Sequence, residues 1–133
     1  MRVCLDSNVL VSAFATRGLA ADVLRVVLAE HELLVPVVVL TEVERVLREK
    51  FQLPAAAWAV AKQILDSQTA VPQPATILRV AIRDPDDAWV LASAVAGAAE
   101  MLITGDADLL SVAAESPIPI LTPRAFWELL RAT

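Results

Sequence analysis

Short, solidly apolar runs alternate along this chain with stretches of helical periodicity, and that alternation limits the fold more than any other feature. Val3-Cys4-Leu5, Leu33-Leu34-Val35 and Met101-Leu102-Ile103 show no switching between polar and apolar residues. A strand with one wet face would show it; a strand without it is covered on both faces. Ala70-Val71 is a briefer extended piece between helical stretches and Pro72. Ile118-Pro119-Ile120-Leu121 is a last strand, placed at or near an edge by Pro119.

Helical spacing fills the intervals. Val9 to Thr16 predicts a short helix, with Ser7 or Asn8 suited to cap it. Ala20 to Glu30 follows, with Val23, Leu24, Val27 and Leu28 on one face. A third helix places Leu40, Val43, Val46, Leu47 and Phe51 at 3.6-residue spacing, and Ala55 to Leu65 makes a fourth. Ile77 to Ile82 is ambiguous and could be a helical turn. Asp84-Pro85-Asp86-Asp87 is a helix start, with an N-cap acid, proline at the first helical position and acids in the first turn. That helix is expected to run to about Ala98. Leu109-Leu110 is a short turn or helix, and Pro123 to Arg131 a final helix. Strands alternating with helices predict an α/β fold, a three-layer α/β/α sandwich around a central, mainly parallel sheet.

Length and composition narrow the classes. At 133 residues the chain is expected to form one domain, 1–133. A 57% hydrophobic content supports a real core, and 3 glycines with no tyrosine argue against a turn-rich all-β chain. Cys4 is the one cysteine, so no internal disulfide can form and a reducing, cytoplasmic setting is expected. Asp6 interrupts the first apolar run at once, so no signal peptide is expected there. No run approaches the roughly 18 apolar residues of a membrane span. The formal net charge of −5 excludes binding nucleic acid by general phosphate neutralisation. Contact with nucleic acid then needs a local basic patch or a metal ion.

In parallel sheets, ligands bind beyond the carboxyl ends of the strands. Asp6 directly follows the first strand, and Asp106 and Asp108 follow the 101–104 strand. Asp84, Asp86 and Asp87 open the helix that leads into that same strand. Gathering carboxylates at one rim is costly, because like charges raise one another's pKa. The usual compensation is a hard cation with oxygen ligands, Mg²⁺ or Mn²⁺. Cys4 and His31 cannot make a zinc site, and a single histidine disfavours histidine-based acid–base chemistry. Glycine-rich phosphate loops are absent.

These residues resemble the motifs of the PIN domain family. Asp6-Ser7-Asn8-Val9 is similar to its opening motif. Glu42, in Leu40-Thr41-Glu42-Val43, is similar to its second acid, and Asp87, before Leu91-Ala92-Ser93-Ala94, to its third. Thr104-Gly105-Asp106-Ala107-Asp108-Leu109-Leu110 resembles the fourth motif, and the likeness runs on to Ile120-Leu121-Thr122-Pro123 and Phe126. The forms are similar to VapC-like proteins grouped as toxins of toxin–antitoxin pairs. The resemblance implies a Mg²⁺- or Mn²⁺-dependent endoribonuclease. Asp6, Glu42, Asp87 and Asp106 would hold the metal directly or through water, with Asp108 assisting. Ser7, Asn8 and Thr104 would hydrogen-bond to the carboxylates or to the scissile phosphate. RNA is then the substrate, an antitoxin protein the partner, and a homodimer the expected assembly.

Blander readings compete at each position. Asp6 could simply cap its helix, Asp84 is foremost an N-cap, and Asp106 and Asp108 could be turn residues beside Gly105. Periodicity does not choose between Glu42 and Glu44, because both flank the apolar arc. Asp87 has Leu91 and Ala94 at +4 and +7, which puts it on the core-facing side of its helix. Arg45, Arg48 and Lys50 could guide RNA, or could pair with Glu44 and Glu49 on the helix surface. A catalytically silent PIN-like module binding RNA or protein is the alternative function. A haloacid-dehalogenase-type phosphatase needs a second Asp where this chain has Asn8. A receiver domain needs a lysine after a late strand, but Lys50 and Lys62 lie mid-chain.

Overall fold

A computed structural model describes residues 1–132. Five parallel strands form one sheet in the order β3-β2-β1-β4-β5. They are β1 (Arg2–Leu5), β2 (Glu32–Pro36), β3 (Thr69–Val71), β4 (Met101–Ile103) and β5 (Ile120–Leu121). Val3, Cys4 and Leu5 are consecutive and all buried, as are Leu33 to Val35 and Met101 to Ile103. Successive strand side chains point to opposite faces, so both faces of the sheet are covered. The α/β class and the parallel sheet are as expected.

Helices α1 (Ser7–Ala15) and α2 (Leu19–Glu30) link β1 to β2, and α3 (Val37–Glu49) and α4 (Ala55–Asp66) link β2 to β3. Helix α5 (Pro85–Ala96) leads to β4, the short α6 (Ala107–Ser111) to β5, and α7 (Pro123–Arg131) closes the chain. Asp84 caps α5, accepting from the Asp86 N–H, with Pro85 in the first turn. Thr122 caps α7 in the same manner, accepting from the Ala125 N–H.

Several boundaries differ from expectation for physical reasons. Asp6, not Ser7 or Asn8, is the N-cap of α1, so helix begins as soon as β1 ends. On α3 the buried line is Val39, Val43 and Leu47, four residues apart, and Leu40 and Val46 flank it. Lys50 ends that helix and Gln52 takes a positive φ of 50°, so the chain turns and Phe51 is left exposed. Helix α5 stops at Ala96, because Ala98 turns at a φ of 60°. Gly97 passes so close to the sheet that an added Cβ would lie 2.8 Å from Val71 Cγ2. Residues 77–82 form neither helix nor strand; Leu78, Val80 and Ile82 anchor the segment on the core at alternate positions. The last strand is only Ile120–Leu121 and lies at the sheet edge, with the Pro119 carbonyl accepting from the Leu102 N–H.

The sheet order places the site. From β1 the chain adds strands on one side, β2 then β3, and afterwards returns to the other side for β4 and β5. The strand order therefore reverses between β1 and β4. A crevice opens beyond the carboxyl ends of strands at such a point. Asp6 leaves β1 there, and Thr104 leaves β4 beside it.

Candidate metal centre

Asp6 is 2% exposed although it is a carboxylate. Three groups hold it. The Ser7 N–H donates to Oδ1 at 2.7 Å, and the Thr104 hydroxyl and the Asn8 Nδ2 donate to Oδ2 at 2.8 Å and 3.0 Å. The Asp6 N–H donates to the Ile103 carbonyl, which ties the ends of β1 and β4 together. Burial raises the Asp6 pKa, and the Thr104 and Ser7 hydrogen bonds oppose that rise; the Asp106 charge adds to it.

Thr104, fully buried, is the hinge of this network. Its Oγ1 donates to Asp6 and accepts from the Asp106 N–H at 2.9 Å. Asn8 donates from Nδ2, and its Oδ1 accepts from the Gly105 N–H at 2.9 Å. Asn8 and Thr104 therefore spend their polar atoms on fixing the carboxylates and the turn after β4. Asp106 caps α6 through Oδ1, accepting from the Asp108 N–H at 2.8 Å.

Asp87 completes the group from the first turn of α5, on the buried side of that helix. It is 8% exposed, and its Oδ2 has no hydrogen-bond partner. One oxygen from each of Asp6, Asp87 and Asp106 lies within 4.8 Å of the others. Burial, then the neighbouring Asp106 carboxylate, then Asp6 and Asp84, push the Asp87 pKa up to about 7. A buried, unpartnered carboxylate oxygen among like charges is costly without a cation. Three oxygen donors at that separation suit a hard divalent ion, and the set holds no cysteine or histidine of the kind zinc sites are built on. The residues fit such an ion.

A cavity of about 440 Å³ opens over the three acids. Glu42 lines it and Glu44 does not, which separates two residues that periodicity left equal. Glu42 is not among the converging three, however. Its oxygens accept from Arg45 Nη2 and Nε at 2.7 Å and 3.2 Å. Asp108 does not line the cavity, and its carboxylate faces Arg83 at 3.7 Å. Its backbone N–H serves the centre by donating to Asp106 Oδ1. Asp84 and Asp86 line the outer wall. Sequence reasoning missed Gln73, Thr41, Val37 and Val38 in the lining. Gln73 lies just past the carboxyl end of β3, so the rule that selects Asp6 also selects it.

The sequence profile of the PIN domain matches residues 2–108. This chain belongs to the PIN domain family. The match spans Asp6, Glu42, Asp87 and Asp106. In fold, this PIN domain is similar to the crystal structure of PAE2754 from Pyrobaculum aerophilum, with a TM-score of 0.69 and 22% identity, covering 100% of this chain and 91% of that one. It is also similar to VapBC2 from Rickettsia felis, solved bound to a DNA fragment from their promoter, with a TM-score of 0.56 and 17% identity, covering 91% of this chain and 97% of that one. No curated protein sequence matches it significantly.

Proposed function

We propose that this PIN domain is a metal-dependent endoribonuclease, the VapC-like toxin of a toxin–antitoxin pair. The observation that carries the reading is the convergence of Asp6, Asp87 and Asp106, with one Asp87 oxygen buried and unpartnered. PIN domains are generally nucleases that use divalent metals, which supports the same chemistry. In this reading Asp6, Asp87 and Asp106 hold Mg²⁺ or Mn²⁺, and Glu42 acts from the cavity wall through water. Bound there, the ion supplies a water of lowered pKa and neutralises charge on the phosphate oxygens.

The chain's own contribution is preorganisation. Asp6 is locked by three donors and Asp106 by its helix cap, so both carboxylates are in place before any ligand arrives. Asp87 carries a buried Oδ2 with no hydrogen-bond partner, and it adjusts to what binds. The Ser7 hydroxyl lines the cavity without a hydrogen-bond partner among the described residues, and it donates to a substrate phosphate oxygen. The carboxylates repel a phosphate, so RNA is excluded until the site is neutralised.

An antitoxin partner fits the likeness to VapBC2. A homodimer fits the exposed apolar residues, Val60 and Ile77 among them. A single domain over 1–133 fits a sheet whose strands run from Arg2 to Leu121. A cytoplasmic location fits a buried free Cys4. No helix among the described residues is long and apolar enough to cross a membrane.

The test is incubation with a labelled mixed-sequence RNA in Mg²⁺, in Mn²⁺ and in EDTA, with Asp87→Asn beside it as the contamination control. Cleavage that requires metal and disappears in the variant is expected. Metal binding without cleavage of any RNA would replace the reading with a silent PIN module.

A further inference from the structure

A second cavity, of about 340 Å³, runs between α1 and α3 and shares Ser7, Asn8 and Glu42 with the acidic one. Its character is different. Val11, Val46 and Phe51 give it an apolar wall, and Lys50 stands beside Phe51. Phe51 is 51% exposed, so its ring is open to a ligand at the groove. Lys50 has no ion pair among the described residues, whereas Arg45 on the same helix is held by Glu42 and Glu49.

The backbone that carries the ring is fixed. Phe51 follows the last turn of α3, and its N–H donates to the Val46 carbonyl at 3.2 Å. The chain then reverses at Gln52, and the Leu53 N–H donates to the Leu47 carbonyl at 2.9 Å. The wrapped helix end keeps Lys50 and Phe51 at the groove, so little ordering remains to be done on binding.

We propose that this groove is a nucleotide subsite for single-stranded RNA, in which one base stacks on Phe51 and a flanking phosphate meets Lys50. The inference rests on the ribonuclease reading and adds the placement of the strand beyond the scissile bond. Two features select RNA over a peptide. The groove is continuous with the acidic cavity, and it pairs an aromatic face with an unneutralised cation, as single-strand binding sites do. In a chain of net charge −5, a free lysine at that position is the local basic feature that phosphate contact requires.

The experiment measures steady-state cleavage of a labelled single-stranded oligoribonucleotide by the wild-type chain and by Phe51→Ala, Phe51→Leu, Phe51→Trp and Lys50→Ala. Both positions are exposed, and melting curves check that the variants fold. Phe51→Ala and Phe51→Leu are expected to raise KM about tenfold with kcat little changed, as loss of one stacked base does. Phe51→Trp restores KM. Lys50→Ala lowers the dependence of log KM on log salt by about 0.7, one phosphate contact on a single strand. If Phe51→Leu matches the wild type, the groove accepts an apolar segment or nothing, and the subsite is wrong while the nuclease stands. If the wild type cleaves no RNA under any metal condition, the nuclease reading and the subsite fall together.

Discussion

Asn in place of Asp87 is expected to make the metal-free protein more stable and to abolish its metal-dependent chemistry. The Asp87 carboxylate has one unpartnered oxygen, and burial, then the charges of Asp106, Asp6 and Asp84, raise its pKa to about 7. Asn has the same shape without the charge, and its amide can donate toward Asp106. Relief of the repulsion is worth about 1–2 kcal/mol at pH 8, a rise in Tm of roughly 5 °C for a chain of this size. In the proposed reading the same change removes a metal ligand. Stabilisation by Mn²⁺ should vanish, and cleavage should fall on the order of 10³-fold, the several kcal/mol that a Lewis-acid ion supplies. Stability gained at the expense of activity marks a functional site. A less stable variant that still responds to Mn²⁺ would make Asp87 a structural residue. Asp6 provides the contrast. Both its oxygens are occupied by donors, so an amide would face at least one of them and gain nothing in stability.

The second large effect is in pH. The Asp87 pKa is about 7 in the folded chain and about 3.9 in the unfolded chain. The folded state therefore holds the proton more tightly. Its contribution to stability is complete below about pH 4 and is lost as pH rises toward 7. Asp6 is shifted in the same direction. Between pH 5 and pH 8 the metal-free protein should lose about 2 kcal/mol, discounted for the open side of the cavity. Metal binding must displace that proton, so affinity for Mn²⁺ should climb across the same interval and level off above pH 8. Melting curves and calorimetric titrations at several pH values check both slopes. Asp87→Asn should flatten the stability slope. A slope unchanged by that substitution would place the titration elsewhere.

How much of this was legible in the sequence differs from residue to residue. The strands were legible because residues covered on both faces leave solid apolar runs, and Met101–Ile103 has the limits that its run suggests. Asp87 was legible as core-facing because Leu91 and Ala94 fix the buried side of α5. Glu42 and Glu44 were not separable by periodicity, since both flank the apolar arc; the family resemblance pointed to Glu42, and the position of α3 over the crevice puts Glu42 in the cavity lining. The cap of α1 was misplaced by one residue, because cap preference cannot tell Asp6 from Ser7 or Asn8 when all three suit the role. The Arg45 grip on Glu42 and the exposure of Phe51 depend on where the helix ends, which periodicity does not define. Family resemblance supplied the order of the acids, and the reversal of strand order between β1 and β4 accounts for their meeting.

The central claim is that Asp6, Asp87 and Asp106 together bind a divalent ion. The most direct measurement is anomalous diffraction from crystals grown or soaked in Mn²⁺. The account predicts one strong manganese peak in contact with a carboxylate oxygen of each of the three. A peak bound elsewhere, or an empty crevice at saturating Mn²⁺, would contradict it.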